Sequence, residues 1–540
     1  MSHTEVLFRD EARAKVLAGA SRLADAVRVT LGPKSKSVLI GKKWGPPIVC
    51  NDGVTIVKEI HLEEPTENLG AQMLREAAVR TGDDVGDGTT TATILAQAMY
   101  AEGVRNVVAG SSAIGIKHGI DRAVGIAVDE LHKLSRPVAS KKEKEQVAAV
   151  SAHNIASVGS MVAAAVEKVG DEGAVQVEEA KGTETTLEVI EGLQFDHGFL
   201  SAYFVTDPQK MQVLLDNARV LLHDRKISKI ADLIPLLEPV LKEGSPLLII
   251  AEDVDSDALA TLVVNKLRGA LSAAAVRAPG FGDRRKEMLQ DLAVLTGGMV
   301  VSEEAGMKLS ETTLEQLGRA SRVVIDKDTT TIIGGGGTKA AIEARCNEIR
   351  RQIEDTKSDY DREKLEERLA KLSGGVAVIR VGAHSEAELK SLKEAFDDAI
   401  HATKAAVAEG IVPGGGLALL RAIDAIEKVE NTLQNDEKTG AHVVRLALEV
   451  PARQLAVNSG ADPGVVVDRL RHGEGNYGFD AADGTYGDLI EHGIIDPTKV
   501  VRVALENAAS VAGTLLLTDA ALVEVPDEAD QTKEPAAMME

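Results

Sequence analysis

The sequence predicts a multidomain α+β protein: a mainly helical domain built from both ends of the chain, with an α/β domain inserted between them. Three observations carry this. The chain has 540 residues, and at roughly 100–200 residues per domain it holds about three domains rather than one core. Its texture changes twice, from Ala-rich helical periodicity to short β-branched runs in the centre and back to Ala-rich helices after 386. Hydrophobic residues at 44% and charged residues at 27% are ordinary for a folded soluble chain, which excludes global disorder.

Residues 9–31 set Val16, Leu17, Leu23, Ala26 and Val27 at helical spacing and stop at Gly32-Pro33. Next, SVLIG and GPPIVC predict strands, Asn51-Asp52-Gly53 a turn, and VTIVKEI a further strand. The stretch 68–135 reads as helix. After Arg136-Pro137 the charged run KKEKE precedes a helix over about 147–169. From 173 onward AVQVEE, TTLEVIEG, ARVLLHD, PLLIIAED and GALSAAAVRAP predict strands, with helices at 229–242, 256–268 and 283–296 between them. Residues 339–372 read as one long charged helix ending at Ser373-Gly374-Gly375, before the strand VAVIRVG. Helical patterns return over 386–424 and 437–516. The last residues hold six acids and one lysine after Val523, which predicts a disordered tail over 526–540.

The net charge of −23 repels phosphate backbones at long range and argues against a nucleic-acid partner, though not against a local anion site. Cys50 and Cys346 belong to no ligand spacing, so neither a disulfide framework nor a structural zinc is expected. The N-terminus has charges throughout and no apolar core, unlike a secretory signal. Apolar stretches such as 246–251 are too short to span a bilayer, so no membrane partner is expected and the location reads as cytoplasmic. Aromatics are scarce: Phe 7, Tyr 5 and Trp 1 mean that Ala, Val, Leu and Ile must build the cores.

The sharpest chemical signal is Gly86-Asp87-Gly88-Thr89-Thr90-Thr91, followed at once by a helical run. Two glycines let backbone N–H groups converge, the threonines add hydroxyl donors, and the helix start adds partial positive charge. Such a block can hold a polyphosphate without a lysine, and Asp87 is placed to hold Mg²⁺. A capped helix after a glycine turn would account for one Thr and one Gly, not for the whole block. Thr30-Leu31-Gly32-Pro33, the glycines at 414–416, and Asp480-Ala481 with Asp496 could complete a nucleotide pocket, each a weak signal alone. There is no P-loop and no kinase signature. Asp397-Asp398 lies on a helix just before the 410–416 segment, either as solvated surface charge or as a carboxylate that orients water toward a phosphate. Phe195, Phe199, Tyr203 and Phe204 cluster within ten residues, near apolar stripes that include Ile234, Leu237, Leu259 and Val263. They are either core faces or an exposed apolar patch.

The blocks TLGPK (30–34), NDGV (51–54), GDGTTTAT (86–93), PLLIIAEDV (246–254), APGFGDRRK (278–286), DKDTTTI (326–332), SDYDREKL (358–365), AVAEGIVPGGG (406–416) and DPTKVVR (496–502) stand in the order found in group I chaperonins of the GroEL type. The chain resembles that family over about residues 5–525. The resemblance implies an equatorial ATPase domain (1–135 and 410–525), an intermediate domain (136–190 and 376–409) and an apical domain (191–375). It implies heptameric rings, stacked in pairs, that enclose non-native client proteins under a ring-shaped co-chaperonin. It assigns ATP to Thr30, Leu31, Gly32, Pro33, Asn51, Asp87, Gly88, Thr89, Thr90, Thr91, Gly415, Asp480, Ala481 and Asp496. It assigns Mg²⁺ to Asp87, K⁺ to backbone oxygens near Thr30 and Asn51, and hydrolysis to Asp398 assisted by Asp52. Phe199, Tyr203, Phe204, Ile234, Leu237, Leu259, Val263 and Val264 match the positions that bind clients and co-chaperonin.

Some positions depart from the pattern. Asn51 stands where the family usually has Lys, which removes a positive charge beside the phosphates. His197 replaces an arginine that pairs with the acid matching Glu386, and Ile155 and Ala395 lack the charges of another domain-closing pair, so weaker ATP cooperativity is expected. The altered charge pairs leave a second reading, a scaffolding paralogue with little ATPase activity, against which stand the intact Gly86–Thr91 block and Asp398. A metabolic phosphotransferase lacks any small-substrate motif here.

Overall fold

The computed structural model describes residues 3–42, 47–152, 154–170, 173–180, 182–208, 210–356 and 358–525. The acidic tail expected over 526–540 lies outside the described residues. Two compact units emerge: one from the chain up to Ala163 together with the chain from Glu394, the other from Ala164 to Lys393.

The first unit is a helical bundle whose long helices include Arg9–Val27, Pro65–Val85, Thr89–Val108, Ala113–Leu134, Leu417–Glu430, Asn435–Ala447 and Thr498–Leu517. Its core is Ala, Val, Leu and Ile, with Tyr100 the largest fully buried side chain. Small residues let the backbones touch: a Cβ on Gly70 would come within 2.0 Å of the Val16 carbonyl oxygen, and one on Gly440 within 2.1 Å of that of Ile116. Aromatic scarcity and tight helix packing are thus one property. The helix Thr498–Leu517 is long and apolar enough by composition to cross a membrane, which corrects the expectation that no segment is. Its apolarity serves the bundle, because residues such as Val503, Leu505, Ala508, Ala512 and Leu516 are buried in the unit.

The strands His3–Phe8 and Ala520–Val525 pair antiparallel, Phe8 opposite Ala520, and tie the two ends together. The first two expected strands form, as Val38–Ile40 and Ile48–Cys50, and pair antiparallel with each other. The third strand does not exist: Gly53–Glu59 is a helix, because the Asp52 carboxylate accepts from Val54 N at 3.2 Å and Thr55 N at 2.7 Å. A local N-cap outweighs the β preference of Val-Thr-Ile-Val. The run KKEKE likewise opens a helix, Lys141–Ser151, through a capping box between Ser140 and Glu143. Ala156–Val169 is a separate helix.

The second unit holds a seven-stranded mixed sheet in the order Ala273–Arg277, Leu247–Ala251, Val213–His223, Gly318–Ile325, Thr329–Gly335, Gly192–Asp196, with Val300–Val301 also on Val213–His223. The first three strands run parallel and the Val213, Gly318, Thr329 and Gly192 strands antiparallel. Leu247–Ala251 is buried at every residue, as a central parallel strand requires. A smaller sheet pairs Val376–Val381 with Ala174–Glu179 and Thr186–Ile190. The long charged helix expected over 339–372 is two helices, Lys339–Asp355 and Asp359–Gly374.

Candidate nucleotide site

In the first unit the helix Pro65–Val85 ends on Gly86, at φ 71°, and the helix Thr89–Val108 begins on Gly88, at φ 79°. Two left-handed residues with one residue between them reverse the chain and leave Asp87 on the corner between two helix ends. Gly88 offers no side chain to cap the new helix, so the first-turn N–H groups of Thr89, Thr90 and Thr91 lack the side-chain partner that Asp52 gives its own helix. That leaves a helix N-terminus suited to an anion. Thr30 Oγ1 lies 3.2 Å from Thr90 Oγ1, and Asn458 Nδ2 holds the turn before Gly32 by donating to the carbonyls of Arg28 and Leu31, both at 2.9 Å.

Opposite, the strands Ile411–Pro413 and Ile495–Pro497 pair antiparallel with Val412 against Asp496. This register sets the Asp496 carboxylate beside Gly414, and Gly415 and Gly416, both left-handed, turn the chain into the helix Leu417–Glu430. The hairpin Tyr477–Asp480 with Thr485–Asp488 buries Phe479, and Asp480 Oδ1 accepts from Ala482 N at 2.8 Å.

These segments enclose one cavity of about 820 Å³, large enough for a nucleotide. All fourteen residues expected to bind nucleotide line it, from Thr30, Leu31, Gly32, Pro33 and Asn51 through Asp87, Gly88, Thr89, Thr90 and Thr91 to Gly415, Asp480, Ala481 and Asp496. Asp52 and Asp398 line it too. The surface-charge reading of Asp398 does not hold. Residues that sequence reasoning missed include Ser151, His401 and Phe479. His401 follows Asp398 by one helical turn, a spacing that could have drawn notice.

Among the described residues, eight carboxylates line the cavity and no lysine or arginine does. The Asp398 carboxyl is held well above the usual range, first by burial and then by Asp87, Asp52, Asp397 and Glu394. Burial and then Asp87 push Asp496 up to about 7. Such a lining would repel a polyphosphate that arrived without cations. A hard divalent cation fits this donor set. No group of three His, Cys, Asp or Glu side chains could hold it alone among the described residues, so a cation there would need further oxygen ligands such as phosphate or water.

In the second unit the helices Ile234–Glu243 and Ser256–Leu267 each bury one stripe, Leu236 with Val240 and Ala258 with Leu262. Tyr203, Ile234 and Val264 are exposed at 65%, 46% and 42%, whereas Phe199, Leu237, Leu259 and Val263 are half-buried against the core. Phe204 is a correction: its ring is fully buried, because the 3₁₀ turn Ala202–Phe204 turns it inward as Tyr203 turns outward. Phe195 is a core residue as well.

Residues 23–526 match the TCP-1/cpn60 chaperonin family. The chain is similar to Chaperonin GroEL 5 of Bradyrhizobium diazoefficiens, at 63% identity over 527 residues that cover 98% of this chain and 97% of the relative. With a cavity of this composition and matches of this extent, the chain belongs to the TCP-1/cpn60 chaperonins and is a group I, GroEL-type member.

Proposed function

We propose that the cavity of the first unit binds ATP with its phosphates at the N-terminus of Thr89–Val108, and that Asp398 with Asp52 hydrolyses it. GroEL-type chaperonins are ATP-dependent chaperones with ATPase activity that act on client proteins with a GroES-type co-chaperonin, and the proposal concerns how these residues do so. What supports it is that all the nucleotide positions and both acids line one cavity, to which no lysine or arginine among the described residues contributes. Asp87 would hold Mg²⁺, which neutralises phosphate charge and polarises the group under attack. Asn51 and Thr30 would lie beside a K⁺. The raised affinity of Asp398 for protons, set by burial and the neighbouring acids, suits a group that takes a proton from attacking water.

Clients would be caught by Tyr203, Ile234 and Val264, with Phe199, Leu237, Leu259 and Val263 behind them. Apolar contact contributes roughly 25 cal/mol per Å², and repetition around a ring multiplies it. On this reading residues 1–135 and 410–525 form the equatorial part, 136–190 and 376–409 the intermediate part, and 191–375 the apical part. The subunits assemble as paired heptameric rings in the cytoplasm, with no membrane or nucleic-acid partner. The test is refolding of a denatured client with ATP and co-chaperonin by wild type and Asp87→Asn. ATP-dependent refolding by wild type alone supports the reading; equal refolding by both contradicts it.

A further inference from the structure

We infer that Ser151 is a positioning residue for Asp87, holding that carboxylate in the one orientation from which it can take a cation. The inference rests on the reading of Asp87 as the cation ligand. Ser151 is the last residue of the helix Lys141–Ser151, and its Oγ donates to Asp87 Oδ2 at 2.7 Å. The N–H of Gly88 donates to Asp87 Oδ1. Each carboxylate oxygen carries two acceptor positions, so both oxygens are anchored on one side and each keeps a position for a cavity ligand. Without the hydroxyl, Asp87 would be held through Oδ1 alone.

The helix that presents Ser151 is itself fixed. Its start is closed by the capping box of Ser140 and Glu143, and Arg136 Nη1 ties Glu143 at 2.6 Å. Midway, Gln146 packs on Gly493, where a Cβ would come within 2.3 Å of Gln146 Nε2. Past its end Asn154 adopts φ 63°, the left-handed conformation that Asn tolerates better than other residues with a Cβ, and its N–H donates to the Ala149 carbonyl at 2.8 Å. Both Ser151 and Asn154 line the nucleotide cavity. A displacement of this helix is therefore felt at Asp87 through a single hydrogen bond. No other side-chain hydrogen bond to Asp87 occurs among the described residues.

The test uses Mn²⁺ as the probe, its binding to the full-length protein with ADP followed by electron paramagnetic resonance. Ser151→Ala is expected to weaken Mn²⁺ binding about tenfold, the usual loss when a partner that orients a metal ligand is removed. Ser151→Thr, which keeps the hydroxyl, should stay near wild type, and melting temperatures should agree across the set. Mn²⁺ binding by Ser151→Ala equal to wild type, while Asp87→Asn loses it, overturns the inference and leaves the Asp87 assignment standing. Equal losses in the Ala and Thr variants would trace the effect to helix packing and overturn it too. Wild-type binding by Asp87→Asn would instead overturn the assignment of Asp87, and the inference with it.

Discussion

Replacing Asp496 by Asn probes the electrostatics of the cavity without touching the proposed hydrolytic acid. Burial, and then Asp87, raise the Asp496 carboxyl from 3.8 to about 7. Between those values the native protein holds a proton that the unfolded chain has released. Raising the pH through this window therefore costs the native state stability, and the cost is complete above pH 7. Each pH unit is worth about 1.4 kcal/mol, so the ceiling is about 4 kcal/mol. Asp496 lines a cavity that water can enter, which brings the expected figure to roughly 1–2 kcal/mol. Urea unfolding of nucleotide-free protein at intervals from pH 5 to 8 measures it. The advantage of Asp496→Asn over wild type should grow with pH and level off above 7. Parallel curves for the two proteins would refute the argument that this carboxyl is forced toward its neutral form.

Three further outcomes are expected. Asn51→Lys should raise ADP affinity at limiting Mg²⁺ about tenfold, the order expected of one cation near phosphate, and have less effect at saturating Mg²⁺; calorimetric titration at both concentrations checks this, and equal affinities at low Mg²⁺ would contradict it. Tyr203→Glu should abolish capture of an unfolded client and leave ATPase activity intact, whereas Phe204→Glu should lower the melting temperature by placing a charge in the core; a stable Phe204→Glu protein with only a capture defect would show that the ring is accessible.

The parts of this molecule that were legible in the sequence are those whose physics is local. Gly86, Gly88 and the three threonines announce a helix start open to an anion, and the structure builds that geometry with both glycines left-handed. Asp398 was ambiguous because nothing local distinguishes a solvated helix acid from one facing a cavity; the difference is made by strands and loops far along the chain. The sequence pattern does not single out the strands Gly318–Ile325 and Thr329–Gly335, which with Gly192–Asp196 extend the large sheet in antiparallel fashion. Nor does it single out the pairing of the two chain ends, a contact spanning almost the whole sequence. The cluster at 195–204 needed both of its readings: Phe195 and Phe204 are core, and Tyr203 is surface. At Gly53–Glu59 the apolar β-branched residues misled, because one capping aspartate decided the local structure.

The central claim is that ATP bound in this cavity is hydrolysed through Asp398. Single-turnover hydrolysis of prebound ATP by wild type and Asp398→Ala tests it most directly. The account predicts that the variant binds ATP and cleaves it about 10²–10⁴-fold more slowly, the range for losing a positioned general base. Cleavage at the wild-type rate, with ATP fully bound, would contradict it.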